Sequence, residues 1–425
     1  MRHFKQMFSK KYLSFAGLQF SRGVKRKYPI NPDHVNELPV FQYATSKQNY
    51  RRVFAWGNAQ TGALGFKGLI DKDVMVLKCP KRLSFGEKFE VTNAAAGFGF
   101  SLFAVNSDTN VKLYGTGLNT DSQIGYHEIR KGFPLEVVFY PQPISLPIKD
   151  PTKTKIKKIA AGRAHSVVLT DEGVFTMGNN SYGQCGRKII ENEDYIRSNT
   201  IHHIQNINNK EIIDIECGQD HSLFITADGS VYSCGWGADG QTGLGHFKNS
   251  DCLSKINGDI ENEKIVKISC RSDFVMALSE KGDVFGWGNT EYGQMSLPDD
   301  EQQLCHPTHI KMLQGHGKFK SVASAGSFCL AANENGEVFT WGYGLLGKND
   351  FQPESKVVQV FCGLYHAAAV TNYGDLYIWG RNKSGCLGLG DEKDQSFPLK
   401  VCLAGHVKKV YCGIDHTIAL CKPFI

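Results

Sequence analysis

The feature that most constrains this chain is a pair of short motifs, each of which occurs seven times. The first motif consists, in order, of an apolar run, a small residue, a Gly, two variable residues, a residue that is usually His, and a second apolar run. Its copies are centred on Gly97, Gly162, Gly218, Arg271, Gly326, Gly363 and Gly413. The second motif consists, in order, of an apolar pair, one variable residue, a dipeptide that is often Trp-Gly, a turn, and a closing Gly. Its copies begin at Val53, Leu113, Val174, Val231, Val284, Val338 and Leu376. Repeats of about fifty residues that are rich in short strands are typical of propeller blades rather than helical solenoids.

The order of the motifs at the two chain ends predicts how the ring closes. The first copy of the second motif, Val53–Gly65, has no partner before it, and the last copy of the first motif, Tyr411–Cys421, has none after it. Together they complete one blade. We therefore expect an all-β, seven-bladed β-propeller in which N- and C-terminal strands share the closing blade, because closure removes exposed sheet edges.

The first 32 residues differ sharply in composition from the rest of the chain. They contain eight Lys or Arg and no Asp or Glu, and subtracting these charges from the net +6 leaves −2 for the remainder. A basic, acid-poor segment with interleaved apolar residues is typical of a mitochondrial transit peptide, although a disordered basic tail is an alternative. We expect a leader over residues 1–48, a nearly neutral propeller over residues 49–425, and a mitochondrial location.

The cysteines and histidines favour packing over chemistry. Thirteen scattered cysteines make a poor disulfide framework and fit a reducing compartment. The position before the repeat Gly is Cys217, Cys270, Cys362, Cys412 or an Ala, which predicts a small buried side chain. One Cys and one His per blade cannot gather four ligands around zinc.

The recurring histidines are His165, His221, His366 and His416, and the same position holds Phe274 or Cys329 in other copies. This exchange predicts that the histidines satisfy a local backbone hydrogen bond. Residues 342–347 spell G-x-G-x-x-G, but the segment is a blade turn with no helical pattern after it. The sequence therefore predicts no catalytic residues, metal or cofactor.

The two motifs together resemble the regulator of chromosome condensation repeat family over about residues 50–425. Gly162–Lys188 and Cys217–His246 are especially similar to its mitochondrial RCC1-like branch. The resemblance implies peripheral association with the matrix side of the inner mitochondrial membrane. It further implies a non-enzymatic platform whose partners are mitochondrial ribosome assembly proteins and large-subunit rRNA, with no DNA partner. Guanine-nucleotide exchange on a mitochondrial dynamin-like fusion GTPase is the alternative.

Two sets of residues are candidate contact sites. In exchange factors of this family, the residue before the repeat His contributes to the face that engages the GTPase, and the resemblance carries this role to Asp220, Asp273, Tyr365 and Asp415. Arg163, the first of the two variable residues between Gly162 and His165, completes the candidate partner-binding face. Capping of loops by the three acids is an equally simple interpretation. The candidate RNA contacts are the basic residues Lys155, Lys157, Lys158, Arg187 and Lys188. Such small clusters are also common as solvated loop charge.

Overall fold

The computed structural model describes residues 52–68, 74–109, 111–295, 302–344, 351 and 354–423. Within these residues, almost all regular structure is β-strand, arranged in seven antiparallel sheets and one extra hairpin. The strand that begins the first motif in each sheet contacts the corresponding strand of the next sheet all the way around a ring. The prediction of a seven-bladed propeller is confirmed, whereas the predicted leader over residues 1–48 lies outside the described residues.

The strands follow the order of the repeats. The closing blade begins with β1 (Arg52–Asn58) and β2 (Val76–Arg82), followed by a short helix α1 (Phe85–Lys88). Blade 1 comprises β3 (Val91–Ala96), β4 (Phe100–Val105), β5 (Leu113–Leu118) and β8 (Val137–Ile144), with the hairpin β6 (Glu128–Arg130) and β7 (Phe133–Pro134) inserted. Blade 2 comprises β9 (Ile156–Ala161), β10 (His165–Thr170), β11 (Gly173–Gly178) and β12 (His202–Ile204). Blade 3 comprises β13 (Ile212–Cys217), β14 (His221–Thr226), β15 (Val231–Gly235) and β16 (Ser250–Lys255).

The remaining blades repeat the pattern. Blade 4 comprises β17 (Ile265–Cys270), β18 (Phe274–Ser279), β19 (Val284–Asn289) and β20 (Gln303–His309). Blade 5 has three strands among the described residues, β21 (Phe319–Ser324), β22 (Phe328–Asn333) and β23 (Val338–Gly342). Blade 6 comprises β24 (Val357–Cys362), β25 (His366–Thr371), β26 (Leu376–Gly380) and β27 (Gln395–Lys400). The closing blade ends with β28 (His406–Cys412) and β29 (His416–Lys422), and two 3-10 turns lie at Tyr195–Arg197 and Lys311–Leu313.

The closing blade joins the two ends of the propeller as predicted. Strand β29 pairs antiparallel with β1 from Arg52↔Cys421 to Gly57↔His416, and the sheet order is β28-β29-β1-β2. The Trp56 indole Nε1 donates a hydrogen bond of 2.7 Å to the Cys386 carbonyl of blade 6. The ring is therefore closed by hydrogen bonds both within this blade and to its neighbour.

The hydrophobic core lies between blades. The second strand of each blade is buried at every position, apart from the last residue of β29. These strands have a hydrogen-bonded neighbour on each side and a packed blade on each face. This explains why their sequences are nearly continuous apolar runs rather than alternating ones.

Chain direction places the repeated loops on one face of the ring. Because the strands alternate in direction, the loop between the first and second strands and the loop after the third strand leave each blade at the same end. In blade 6 this end carries Tyr365 and Arg381, whose backbone groups are hydrogen bonded to each other. We call this side the motif face. The hairpin around Tyr373, between the second and third strands, lies at the other end of the blade, about 20 Å away for a six-residue strand.

Candidate functional site

The recurring histidines join neighbouring blades, so the prediction of a local backbone hydrogen bond is wrong. Three of the four rings reach the hydroxyl that follows the equivalent position in the next blade. The pairs are His165 Nε2 with Ser222 Oγ at 2.9 Å, His366 Nε2 with Thr417 Oγ1 at 3.0 Å, and His416 Nε2 with Ser101 Oγ at 2.9 Å. The Ser222 and Thr417 hydroxyls themselves donate to backbone carbonyls, so Nε2 is the donor of the ring in those two pairs.

Blade 5 departs from the register that its sequence suggested. Phe328 pairs with Gly342 as His366 pairs with Gly380, so Phe328 and not Cys329 occupies the histidine position. The Ala325 N–H bonds the Phe328 carbonyl as the Gly363 N–H bonds the His366 carbonyl, so Ala325 occupies the repeat-glycine position and Gly326 follows it. Any residue counted from Gly326 is therefore misplaced by one. The residue that precedes this position is therefore Ser327.

His221 is the exception among the inter-blade histidines. It is fully buried, and neither ring nitrogen has a hydrogen-bond partner. The residue at the position of Ser222 in the next blade is Val275, which is buried and has no hydroxyl. A buried polar group without a partner costs about 1–3 kcal/mol.

Replacing Val275 with Thr should therefore stabilise the protein. Thr is close to Val in size and places a hydroxyl where the other repeats have one, so we expect the free energy of unfolding to rise by about 1 kcal/mol. Urea denaturation of the variant measures this gain. In a His221→Phe background the gain should vanish; an equal gain there would show that the histidine is not involved.

The burial of these histidines predicts that the free energy of unfolding falls at acid pH. Burial lowers the pKa of His165, His221 and His366 to about 3. In the unfolded chain these rings have a pKa near 6.5, so below that pH the unfolded state binds protons that the folded state does not bind. Each ring then removes up to about 1.4 kcal/mol of stability per pH unit. Urea unfolding at pH 7.5 and 5.5 should show this loss of stability. The His221→Phe variant should lose less between the two pH values, the difference being about one third of what the three histidines contribute together. An unchanged pH dependence in this variant would contradict the assignment.

The five residues of the candidate partner-binding face all lie on the motif face, but they do not form one site. Arg163 and Asp220 form an ion pair at 2.8 Å between blades 2 and 3. Asp415 accepts a 2.6 Å hydrogen bond from Asn58 within the closing blade. Both acids are therefore engaged in contacts that hold the ring together.

The remaining two, Asp273 and Tyr365, line the same cleft. Asp273 accepts a 3.0 Å hydrogen bond from Gln241 of the preceding blade, and its burial raises the pKa of its carboxyl. The Asp220 carboxyl behaves in the same way, since burial raises its pKa although Arg163 opposes the shift. Neither acid is an unengaged negative charge on the surface.

This cleft on the motif face is the main feature that the sequence did not reveal. It has a volume of about 520 Å³ and is lined mainly by blades 4, 5 and 6, with Phe98 of blade 1 and Gln219 of blade 3. We call it the aromatic cleft, and its ring-bearing and charged lining residues include Phe98, Asp273, Tyr292, Phe328, Tyr343, Tyr365 and Arg381. Sequence reasoning missed most of them because they come from different repeats and occupy positions that vary from copy to copy.

The three tyrosines of the cleft are exposed, and each ring contacts another side chain of the cleft. The Tyr292 and Tyr343 rings stack with centroids 6.0 Å apart, and the Arg381 guanidinium lies 5.2 Å above the Tyr365 ring. Tyr343 is 65% exposed and Tyr365 46%. Exposed Tyr and Arg side chains grouped around a concavity are typical of the energetically dominant part of protein interfaces.

The candidate RNA contacts are distributed over different environments. Lys157 forms ion pairs with Asp171 and Glu211, and Lys158 with Asp214 and Glu216. Lys157 and Lys158 both line the central channel.

Arg187 is paired with Glu193 at 2.5 Å, whereas Lys155 and Lys188 are exposed. Local carboxylates therefore offset three of the five charges, which weakens attraction to phosphates. RNA contact through these residues stays a prediction.

The cysteines before the repeat glycine are buried, which confirms the packing interpretation. Cys217, Cys270 and Cys412 are at most 2% exposed, and all thirteen cysteines are free thiols. Burial raises the pKa of the Cys412 thiol to about 12, so it is neutral at physiological pH. In the described part of the chain, no three His, Cys, Asp or Glu side chains cluster as metal ligands. No helix among the described ranges is long and apolar enough to cross a bilayer.

Comparison with known families assigns the repeat. The model for the regulator of chromosome condensation (RCC1) repeat matches residues 52–104, 171–225, 228–278, 281–332 and 373–420. The chain belongs to the RCC1 repeat family. A second RCC1 repeat model also matches residues 156–184, 212–241, 265–294 and 357–386, which adds coverage in blades 2 and 6.

Two mammalian RCC1-family relatives match nearly the whole chain. The "RCC1-like G exchanging factor-like protein" of Mus musculus is 42% identical over 92% of this chain and 91% of its own length, and that of Homo sapiens is 41% identical over the same shares. The crystal structure of human WBSCR16 has a TM-score of 0.82 at 41% identity and covers 88% of this chain and 100% of the solved one. Yeast RCC1 (Prp20), solved with Kap60, has a TM-score of 0.74 at 19% identity over 95% of this chain and 96% of its own, which supports the fold alone.

Proposed function

We propose that this RCC1-family propeller is a non-enzymatic interaction platform that binds a partner protein through the aromatic cleft. The observation that carries the proposal is the ordered set of exposed Tyr rings and Arg381 around a cavity of about 520 Å³. Propellers supply a broad rigid surface, and function resides in the loops that one face presents. Binding rather than chemistry is the activity that such a surface supports.

We further propose that the partner belongs to the assembly of the large subunit of the mitochondrial ribosome, inside mitochondria. The basic, acid-free leader and the resemblance to the mitochondrial branch support this part of the proposal. Fusing residues 1–48 to a fluorescent reporter tests the location. Mitochondrial import of the reporter is expected, and a cytosolic reporter would contradict it.

Co-sedimentation tests the ribosome role and the cleft together. We expect the wild-type protein to travel with large-subunit particles from mitochondrial lysates, and Tyr343→Ala combined with Tyr365→Ala to release it. Tyr373→Ala is the matched control, because Tyr373 is also an exposed tyrosine, 52% accessible, but lies at the opposite end of blade 6. Failure of the wild-type protein to associate, or equal release by the control, would contradict the proposal.

Guanine-nucleotide exchange on a mitochondrial dynamin-like GTPase is the second candidate function. The names of the two mammalian relatives and the position of Asp273 in the cleft favour it. Exchange would require the cleft to bind the nucleotide-free GTPase more tightly than the loaded one. Asp273→Asn should then slow GDP release at least tenfold, whereas Asp228→Asn, in a hairpin on the opposite face, should not. Equal rates for wild type and Asp273→Asn would contradict this role.

A further inference from the structure

The fourth repeat breaks the most constant position of the first motif. Five blades have Gly there, blade 5 has Ala325, whose N–H bonds the Phe328 carbonyl as the glycine N–H does elsewhere, and blade 4 has Arg271. In each of the five glycine copies a Cβ atom would come within 3.0 Å of a neighbouring side chain, such as the His221 ring beside Gly218. Because every other blade has glycine or alanine at this position, the packing of the repeat favours a very small residue, and the long side chain of Arg271 in blade 4 requires a separate explanation.

Arg271 reaches across the central channel. Its Nη1 donates a 3.0 Å hydrogen bond to the Ala96 carbonyl at the end of β3, in blade 1, while the arginine itself belongs to blade 4. Its positive charge also acts on the thiols of Cys217, Cys362 and Cys412, which belong to three further blades. The guanidinium is therefore central to the ring rather than part of one wall.

The guanidinium is not fully satisfied in this position. Its Nε is buried and has no hydrogen-bond partner. A guanidinium carries five N–H donors and no acceptor, so the atoms that complete it must be acceptors. A group that approaches along the channel can supply them.

A second cation on the same strand points into the same channel. Lys267, Ser269 and Arg271 follow one another at intervals of two residues along β17 and just after its end. Side chains at this spacing lie on the same face of a strand, and all three residues line the channel. The Lys267 Nζ donates to Ser321 Oγ at 3.0 Å. Burial, together with the nearby Lys158 ammonium, lowers the pKa of Lys267 to about 8.

The carboxylates of the channel wall do not neutralise these two cations. The channel lining has two acids, Asp214 and Glu216, and both form ion pairs with Lys158 at 2.7 and 3.3 Å. Although burial opposes it, these two carboxylates raise the pKa of Lys158. Neither Lys267 nor Arg271 has an ion pair within the described ranges. Asp214 and Glu216 also act favourably on the Lys267 charge, but burial and Lys158 outweigh them. A buried positive charge without an ion-pair partner of its own is unfavourable, and an anion placed beside it relieves that cost.

We propose that the central channel binds an oxyanion of the phosphate class between Arg271 and Lys267. The channel cavity of about 380 Å³ has room for inorganic phosphate or pyrophosphate. Planar guanidinium groups match phosphate geometry, and an ammonium adds a point charge. This site is separate from the aromatic cleft and does not depend on the proposed function.

Calorimetric titration with pyrophosphate in a phosphate-free buffer tests the site. The wild-type propeller should bind, and Arg271→Gly should weaken binding at least tenfold while folding normally, because five blades already have glycine there. Lys267→Met, which keeps the aliphatic length and removes the charge, should weaken it similarly. Lys383→Ala is the control, since Lys383 is an exposed lysine away from the channel lining. Absence of binding to wild type, or equal affinity for Arg271→Gly, would overturn the proposal.

Parallel titrations with GTP identify the source of the phosphate groups. Arg271-dependent binding of GTP would assign the site to nucleotide phosphates. Binding of pyrophosphate without GTP would assign it to free phosphate anions. GTP binding that Arg271→Gly leaves unchanged, with no pyrophosphate binding, would refute the channel site.

Discussion

Deleting residues 414–425 should abolish the cooperative unfolding transition of the whole propeller. The deletion removes β29, the strand through which β1 joins the closing blade. Ile418 and Leu420 on this strand are completely buried, and each such side chain contributes about 1.5–3 kcal/mol by burial. Together with the lost strand pairing, this approaches the total stability of a typical domain, about 5–15 kcal/mol. The opened ring would expose two sheet edges as well.

Thermal unfolding and limited proteolysis of the truncated chain measure this effect. The matched control is a chain that begins at residue 49, which should unfold like the full-length protein because the described fold starts at Arg52. Adding a synthetic peptide of residues 412–423 should restore part of the protease resistance. A truncated protein that stays soluble and melts at the temperature of the full chain would show that ring closure does not hold the fold together.

Replacing Trp56 with Ala should destabilise the protein by about 3–5 kcal/mol, the usual cost of truncating a buried Trp. The Trp56 side chain is completely buried between the closing blade and blade 6, and its indole donates to the Cys386 carbonyl. The substitution leaves a large cavity at the junction of the chain ends and removes one of the two hydrogen bonds that the Cys386 carbonyl accepts, the other coming from Thr417. Trp56→Phe should cost less, because it fills most of the cavity and loses only the hydrogen bond.

Urea denaturation followed by circular dichroism measures both variants, since tryptophan fluorescence would itself change. Trp236→Ala is the control. Trp236 is partly exposed and packs edge-on against Tyr182 instead of closing the ring. Equal losses for Trp56→Ala and Trp236→Ala would contradict the special role assigned to the closing junction.

The fold was predictable because the backbone geometry of each repeat restricts which residues can stand at particular positions within that repeat. The glycine after the repeat Trp is an example. Gly57 adopts φ +110°, and a Cβ there would lie 2.5 Å from the Asp415 carbonyl oxygen, so the position admits only glycine. Such constraints recur in every copy and are visible without a structure. The phase of the motifs at Val53 and Tyr411 then sufficed to predict the closing blade.

The candidate site was predictable only in part, because its residues are joined by the ring and not by the sequence. Tyr292, Tyr343 and Tyr365 come from three blades and occupy different positions of the repeat, so no spacing connects them. Asp273 and Tyr365 were found because they follow the motif register. The inter-blade partners of the histidines, such as Ser222 for His165, depend on how one blade packs on the next.

A photo-crosslinking amino acid at position 343, compared with one at position 373, tests most directly whether the aromatic cleft is the binding face. Both positions are exposed tyrosines, and they differ in the face on which they lie. In intact mitochondria, we predict that position 343 yields a discrete crosslinked protein that Tyr365→Ala weakens, and that position 373 yields none. Crosslinking to the same protein with equal yield at position 373, or no product at position 343, would contradict the assignment of the cleft as the binding face.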